Sequence, residues 1–189
     1  ENFGPISTIR SFDTDQNIVL IGPQACGKST LAKIIYFFKK VQYTTHELLI
    51  NSFNERNYTD FQTRLNQEIR TLFQQFWGSA EFFDRNMRLE CVYVSGRSLV
   101  ITRKGTSVGT HFSSGLFREI NELVREVVTS SKDLKKRSNG FFSKGDEIIA
   151  NQVNRSEIIT NAYERLGDIF GNKTEVLYIP AGRNIVSVL

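Results

Sequence analysis

The residues best suited to chemistry lie together near the start of the chain, in a loop with two glycines, a lysine and a serine. Residues 22–30 are GPQACGKST, which matches the pattern G-x-x-x-x-G-K-[ST] at every fixed position. Glycine permits the backbone conformations that turn successive N–H groups inward around an anion. Lys28 adds a positive charge, and the Ser29 hydroxyl is a suitable Mg²⁺ ligand. This spacing predicts a site that binds phosphate groups together with Mg²⁺.

The segments on either side of this loop predict the elements that must position it. Residues 17–21 form a short apolar run that is typical of a buried strand. A helix is predicted from residue 29 to about residue 40, with an apolar face that should pack on a sheet. That face consists of Leu31, Ile34, Ile35 and Phe38. The unpaired N–H groups and the positive dipole end of this helix would point at the phosphates.

A strand, a glycine loop and a helix in this order are typical of the phosphate-binding loop of P-loop NTPases. The alternative is a glycine turn that precedes a helix by chance. The predicted nucleotide-binding residues are Gly22, Pro23, Gln24, Ala25, Cys26, Gly27, Lys28, Ser29 and Thr30. Lys28 is also the predicted catalytic residue, because its ammonium would stabilise charge on the β- and γ-phosphates. Ser29 is the predicted Mg²⁺ ligand, so ATP and Mg²⁺ are the predicted cofactors.

Composition sets wide limits on the class of protein. The chain has 189 residues, of which 40% are hydrophobic and 23% charged, which is typical of one globular domain. The net charge of +4 permits contact with nucleic acid without requiring it. No apolar run approaches the roughly 20 residues that span a bilayer, so we expect no membrane partner. The two cysteines, Cys26 and Cys91, make no disulfide framework, and a reducing cytoplasm fits them best.

The remaining patterns predict an α/β fold. Helices are expected at 61–77, ending at Gly78, and at 116–130, with a short helix at 47–53. Strands at 88–94 and 98–104 flank a glycine turn and should form a hairpin. Residues 106–114 look like a loop, residues 132–144 like a basic connection, and Ser156 like the N-cap of a last helix. A strand at 175–179 should end in a turn at 180–183.

Two segments carry a more specific resemblance. The opening Asn2-Phe3-Gly4-Pro5-Ile6, followed by the phosphate loop, and the element Tyr178-Ile179-Pro180-Ala181-Gly182-Arg183 resemble ABC-type ATPases of the SMC/RecF/OLD-like group. The resemblance implies a P-loop NTPase sheet, mostly parallel, with an antiparallel β layer and surrounding helices. The whole chain, 1–189, would be a single ATP-binding lobe with parts at 1–40, 88–104, 116–170 and 175–189.

The same resemblance implies how the protein would work. ATP is hydrolysed between two heads packed head to tail, so the expected partners are ATP, a second copy of the protein and DNA, in DNA repair or phage defence. Two hallmarks of the group do not occur. Residues 113–116 are not a convincing signature motif, and Asp146-Glu147 follows Ser-Lys-Gly rather than an apolar strand. We therefore expect an incomplete ATPase domain, completed by a C-terminal lobe and a partner head.

Other interpretations stay open beside this one. A P-loop small-molecule or nucleotide kinase is the first, although kinase loops usually carry a further glycine and lid arginines have no clear counterpart here. A non-catalytic module whose ATP pocket controls association is the second. Arg183 follows a predicted strand at the edge where open α/β sheets bind ligands, so it could contact phosphate or a partner head, or simply close a turn. The basic residues of 132–144 are either a solvated surface or a nucleic-acid contact.

Overall fold

The computed structural model describes residues 1–9, 20–21, 23–94, 96–137 and 144–171. Within these residues the fold is α/β, with a three-stranded antiparallel sheet and four α-helices. The helices are α1 (Lys28–Glu55), α2 (Phe61–Trp77), α3 (Ser114–Arg137) and α4 (Lys144–Phe170), with a short 3₁₀ turn at Ala80–Phe82. The strands are β1 (Arg88–Val94), β2 (Arg97–Lys104) and β3 (Ser107–Phe112). The α/β class is confirmed, whereas the mostly parallel P-loop sheet stays a prediction.

The sheet has the order β1-β2-β3, and neighbouring strands are antiparallel. The predicted hairpin is confirmed as β1 and β2, with Leu89 opposite Ile101. The prediction of a loop at 106–114 was wrong, because β3 occupies most of it and pairs with β2 from Lys104↔Ser107 onward. Gly105, with φ of 64°, begins the two-residue turn that reverses the chain between these strands. Pairing with β2 satisfies the backbone N–H and C=O groups of this segment, so it forms a strand although its own composition indicated a loop.

Helix α1 is longer than predicted and packs differently. It is one continuous helix of 28 residues, so the separate short helix predicted at 47–53 is part of it. Its polar middle is compatible with burial because the Thr45 hydroxyl donates to the carbonyl of Val41 at 2.8 Å. The helix packs mainly on α2, α3 and α4 rather than on the sheet. Its buried face is centred on Phe37 and Leu49, and most of the predicted face is only half-buried.

Helices α3 and α4 also extend beyond their predicted bounds. Ser113 precedes α3 and its hydroxyl oxygen accepts from the Leu116 N–H at 3.4 Å, as an N-cap does. The helix continues to Arg137, so the first part of the predicted connection at 132–144 is helical. Ser156 lies inside α4, and its prediction as an N-cap was wrong. The described side chains before residue 158 of α4 are exposed, which is why this stretch shows little apolar periodicity.

Helix α2 has the bounds that its apolar stripe predicted, and Gly78 follows it with φ of 78°. Its C-terminal end belongs to a cluster of rings that forms one end of the core. This aromatic cluster consists of Phe3, Phe37, Phe73, Trp77 and Phe83. Phe3, Phe37 and Phe73 are each at most 1% exposed. The cluster therefore fixes residue 3 of the chain against the C-terminal end of α2 and against Phe83.

Several sequence predictions lie at or outside the limits of the described residues. Leu20 and Ile21 are not in a strand, and Ile21 is 90% exposed, so the predicted buried strand is wrong at these two positions. Residues 17–19, Gly22, the predicted strand at 175–179 and Arg183 lie outside the described residues. Within the described ranges, no helix is both long enough and apolar enough to cross a membrane.

Candidate phosphate-binding loop

Residues 23–27 lead directly into α1, as the sequence predicted. Gly27 is the N-cap of the helix, with φ of 91° and ψ of 5°, and its carbonyl accepts from the Leu31 N–H at 2.9 Å. A left-handed N-cap of this kind favours glycine, because a Cβ would be strained there. The first turn of α1 carries no acidic residue. The positive end of a 28-residue helix thus faces the loop without a carboxylate of that turn to neutralise it.

The backbone of the loop alternates in handedness. Both Ala25 and Gly27 have positive φ, at 64° and 91°, whereas Cys26 between them does not. Alternation of this kind makes successive N–H groups converge and forms an anion-binding nest. Ala25 is a residue with a Cβ in the left-handed region, where such residues are uncommon. Backbone strain of this type concentrates at ligand-binding sites, so Ala25 marks the loop as a functional candidate.

The Lys28 side chain folds back over the loop. Its ammonium Nζ donates to the carbonyl of Pro23 and lies 3.3 Å from Cys26 Sγ. Lys28 is half-buried, whereas Ser29 is exposed on the first turn of α1. The ammonium is therefore held at the loop and Ser29 is accessible. The structure thus brings together Pro23, Gln24, Ala25, Cys26, Gly27, Lys28, Ser29 and Thr30 at one helix N-terminus.

The structure also reveals a contact that sequence reasoning missed. Residues Phe3 and Ile6 pair through two backbone hydrogen bonds of 2.9 and 3.0 Å around Gly4, which has φ of 56°. We call residues 2–7 the N-terminal hairpin. Its Ile6 side chain packs against Gly27, where a methyl group would lie only 3.1 Å from Ile6 Cγ1. The Gly4-Pro5 turn was the sequence signal for this hairpin, but nothing local indicated what it touches.

The structure also describes the settings of an acidic pair and of the two cysteines. The Asp146-Glu147 pair lies in the first turn of α4, so its helical setting agrees with its rejection as a strand-end pair. Burial raises the pKa of the Cys91 thiol to about 12, which disfavours the nucleophilic thiolate, whereas Cys26 is exposed. Among the described residues, no group of three or more His, Cys, Asp or Glu side chains could hold a metal ion.

No protein-family model, curated protein or solved structure matches this chain. Function is therefore inferred from the sequence of the loop and from its geometry.

Proposed function

We propose that this chain binds the triphosphate of ATP, with Mg²⁺, at residues 22–30. The observation that carries the proposal is the alternating backbone at Ala25 and Gly27, placed at the N-terminus of α1 within a full G-x-x-x-x-G-K-[ST] sequence. The sequence motif and the backbone conformation are separate observations. The motif alone also occurs in turns that bind nothing, so the conformation adds to it. Their coincidence at one helix N-terminus favours a phosphate ligand.

The charges near the loop support an anionic ligand. The Lys28 ammonium hydrogen-bonds a neutral carbonyl of the loop and lies beside the Cys26 sulfur. A phosphate oxygen would offer Lys28 a stronger, charge-assisted partner. Ser29 is exposed on the same turn, where its hydroxyl could join the ligands of a phosphate-bound Mg²⁺. Recognition of the phosphates thus uses backbone N–H groups, one ammonium and one hydroxyl.

We assign ATP binding to this chain, and ATP hydrolysis to an assembly that contains further catalytic elements. The Asp146-Glu147 pair lies in helix α4, not at the end of a strand where it could position Mg²⁺ as ABC-type ATPases do. By the resemblance to ABC-type ATPases of the SMC/RecF/OLD-like group, a C-terminal lobe and a partner head would complete the catalytic site. DNA repair or phage defence is the corresponding role of the whole protein.

Calorimetric titration with ATP-Mg²⁺ tests the proposal. The wild-type chain should bind, and Lys28→Ala should weaken binding by about 10- to 100-fold, because a hydrogen bond to a charged group contributes about 1.5–3 kcal/mol. Lys33→Ala is the matched control, since it removes the same charge about one and a half turns further along α1. Its affinity should stay within about threefold of wild type. Absence of wild-type binding, or equal affinities of the two variants, would refute the assignment.

A further inference from the structure

We propose that Ile6 is a positioning residue for the phosphate loop and that the N-terminal hairpin, residues 2–7, sets the loop's conformation. The inference rests on the proposed function and goes beyond it, because residue 6 lies outside the phosphate-binding motif. Ile6 touches no phosphate in this scheme. It acts through Gly27, whose left-handed conformation aligns the loop with the N-terminus of α1.

The hairpin is a well-defined unit. The N–H of Phe3 donates to the carbonyl of Ile6 at 2.9 Å, and the Ile6 N–H donates back at 3.0 Å. A third bond, from the Asn2 N–H to the Ser7 carbonyl, has a length of 2.7 Å. Gly4 adopts the positive φ that its turn requires, and proline fixes φ at the next position. The Ile6 side chain is therefore held in a set direction by a paired backbone.

The hairpin is also anchored to the core. Phe3 is 1% exposed and stacks on Phe83 with ring centroids 4.5 Å apart and planes 6° apart. Trp77 meets the Phe3 ring edge-on at 5.1 Å. The Arg88 N–H at the start of β1 donates to the carbonyl of Glu1 at 3.1 Å. The unit that carries Ile6 is thus fixed to α2, to the sheet and to the turn before it.

Contact between this fixed unit and the loop occurs at a residue without a side chain. A methyl group on Gly27 would lie 3.1 Å from Ile6 Cγ1, 3.5 Å from Pro5 Cγ and 3.7 Å from Ile6 Cδ1. The shortest of these distances is closer than ordinary van der Waals contact, so Ile6 fills the space that a larger residue at 27 would need. Glycine at this position therefore serves two purposes: it permits φ of 91°, and it lets Ile6 support the backbone.

Titration of ATP-Mg²⁺ into single variants tests this inference. Ile6→Ala should weaken binding about fivefold or more, and Ile6→Val, which keeps most of the contact, should stay within about twofold. Ile159→Ala is the matched control, since it removes the same atoms from a half-buried position on α4. Arg155 lies one turn before Ile159 on α4 and donates to Asn54 near the C-terminal end of α1. Asn54 is about 40 Å along that helix from Lys28, so this part of α4 is remote from the loop. This control should lose stability while its affinity for ATP-Mg²⁺ stays unchanged.

A double-mutant cycle separates positioning from general loosening of the fold. Gly27→Ala should abolish most binding, because the added methyl group meets Ile6 and the backbone is strained. Adding Ile6→Ala should recover at least threefold of the affinity lost, since the clash is removed. If the double variant's loss of affinity equals the product of the two single-variant losses, the inference is overturned. An Ile6→Ala variant with wild-type affinity would overturn it as well. If wild type itself fails to bind ATP-Mg²⁺, the proposed function is refuted, whereas wild-type binding with an unaffected Ile6→Ala variant refutes only the role of Ile6.

Discussion

Replacement of Phe3 by alanine is the sharpest test of how the start of the chain is held. The Phe3 side chain is 1% exposed and contacts three rings, those of Phe73, Trp77 and Phe83. Truncation of a buried phenylalanine costs about 3–5 kcal/mol. The stacked and edge-on geometries place Phe3 toward the upper part of that range, because each aromatic pair adds about 0.5–1.5 kcal/mol. A domain of this size loses about 2–4 °C in melting temperature per kcal/mol, so a loss of about 4–5 kcal/mol predicts a fall of about 8–20 °C.

Thermal unfolding followed by far-UV circular dichroism would measure the fall in melting temperature, and urea unfolding would measure the loss in free energy of unfolding. The midpoint should fall while the slope m stays constant, since a change in midpoint alone reports a change in stability. Fluorescence of Trp77, the only tryptophan of the chain, gives a second probe next to the mutated site. Phe82→Ala is the matched control, because Phe82 is 79% exposed and should change stability by less than about 0.5 kcal/mol.

The result that would refute the reasoning is a Phe3→Ala variant as stable as Phe82→Ala. Such a result would mean that the N-terminal hairpin is not anchored in the aromatic cluster, and the support that Ile6 gives to Gly27 would lose its basis. Phe3→Leu should fall between wild type and Phe3→Ala, because it keeps apolar volume but loses the ring contacts.

Two further predictions concern titratable groups. Burial lowers the pKa of His46 in the folded state, outweighing the opposite effect of nearby Glu47, so the unfolded chain takes up the proton first. The free energy of unfolding should therefore be unaffected by His46 above its ordinary pKa of 6.5 and should fall as pH decreases below that value. Urea titrations at a series of pH values would show a smaller fall in His46→Phe. In the native protein, a thiol reagent followed by mass spectrometry should label exposed Cys26 and spare Cys91, whose pKa burial raises to about 12. ATP-Mg²⁺ should slow the labelling of Cys26.

Each of these predictions can fail in a specific way. An equal acid sensitivity of wild type and His46→Phe would show that the half-buried imidazole, whose Nε2 has no hydrogen-bond partner, does not govern the loss. Rapid labelling of Cys91 in the native protein would contradict its burial against the core. Labelling of Cys26 at the same rate with and without ATP-Mg²⁺ would argue against phosphate binding at the loop.

Local patterns were sufficient where an element depends mainly on its own sequence. The stripe of α2 repeats at helical spacing and ends at Gly78, so both ends of the helix could be predicted. Strands β1 and β2 are adjacent along the chain and joined by a short glycine turn, so their pairing followed from sequence. Both cases involve contacts between residues that are close in the chain.

Elements stabilised by distant contacts could not be predicted in the same way. Strand β3 contains Gly109 and few apolar residues, and it is a strand because β2 offers it a paired edge. The polar part of α1 around Thr44 and Thr45 stays helical because α2, α3 and α4 pack around the helix. The start of α4 lacks an apolar stripe, so no periodic signal marked it.

The sequence by itself determined the residue types of the candidate phosphate loop, because glycine, lysine and serine stand at fixed spacing in one short segment. It also determined that a helix follows the loop. Only the tertiary structure decided what the loop contacts, namely Ile6 packed on Gly27, and what holds the N-terminal hairpin, namely Phe3 in the aromatic cluster. These contacts join residues far apart in the chain. Packing between such residues depends on how the whole core is filled, which no local propensity encodes.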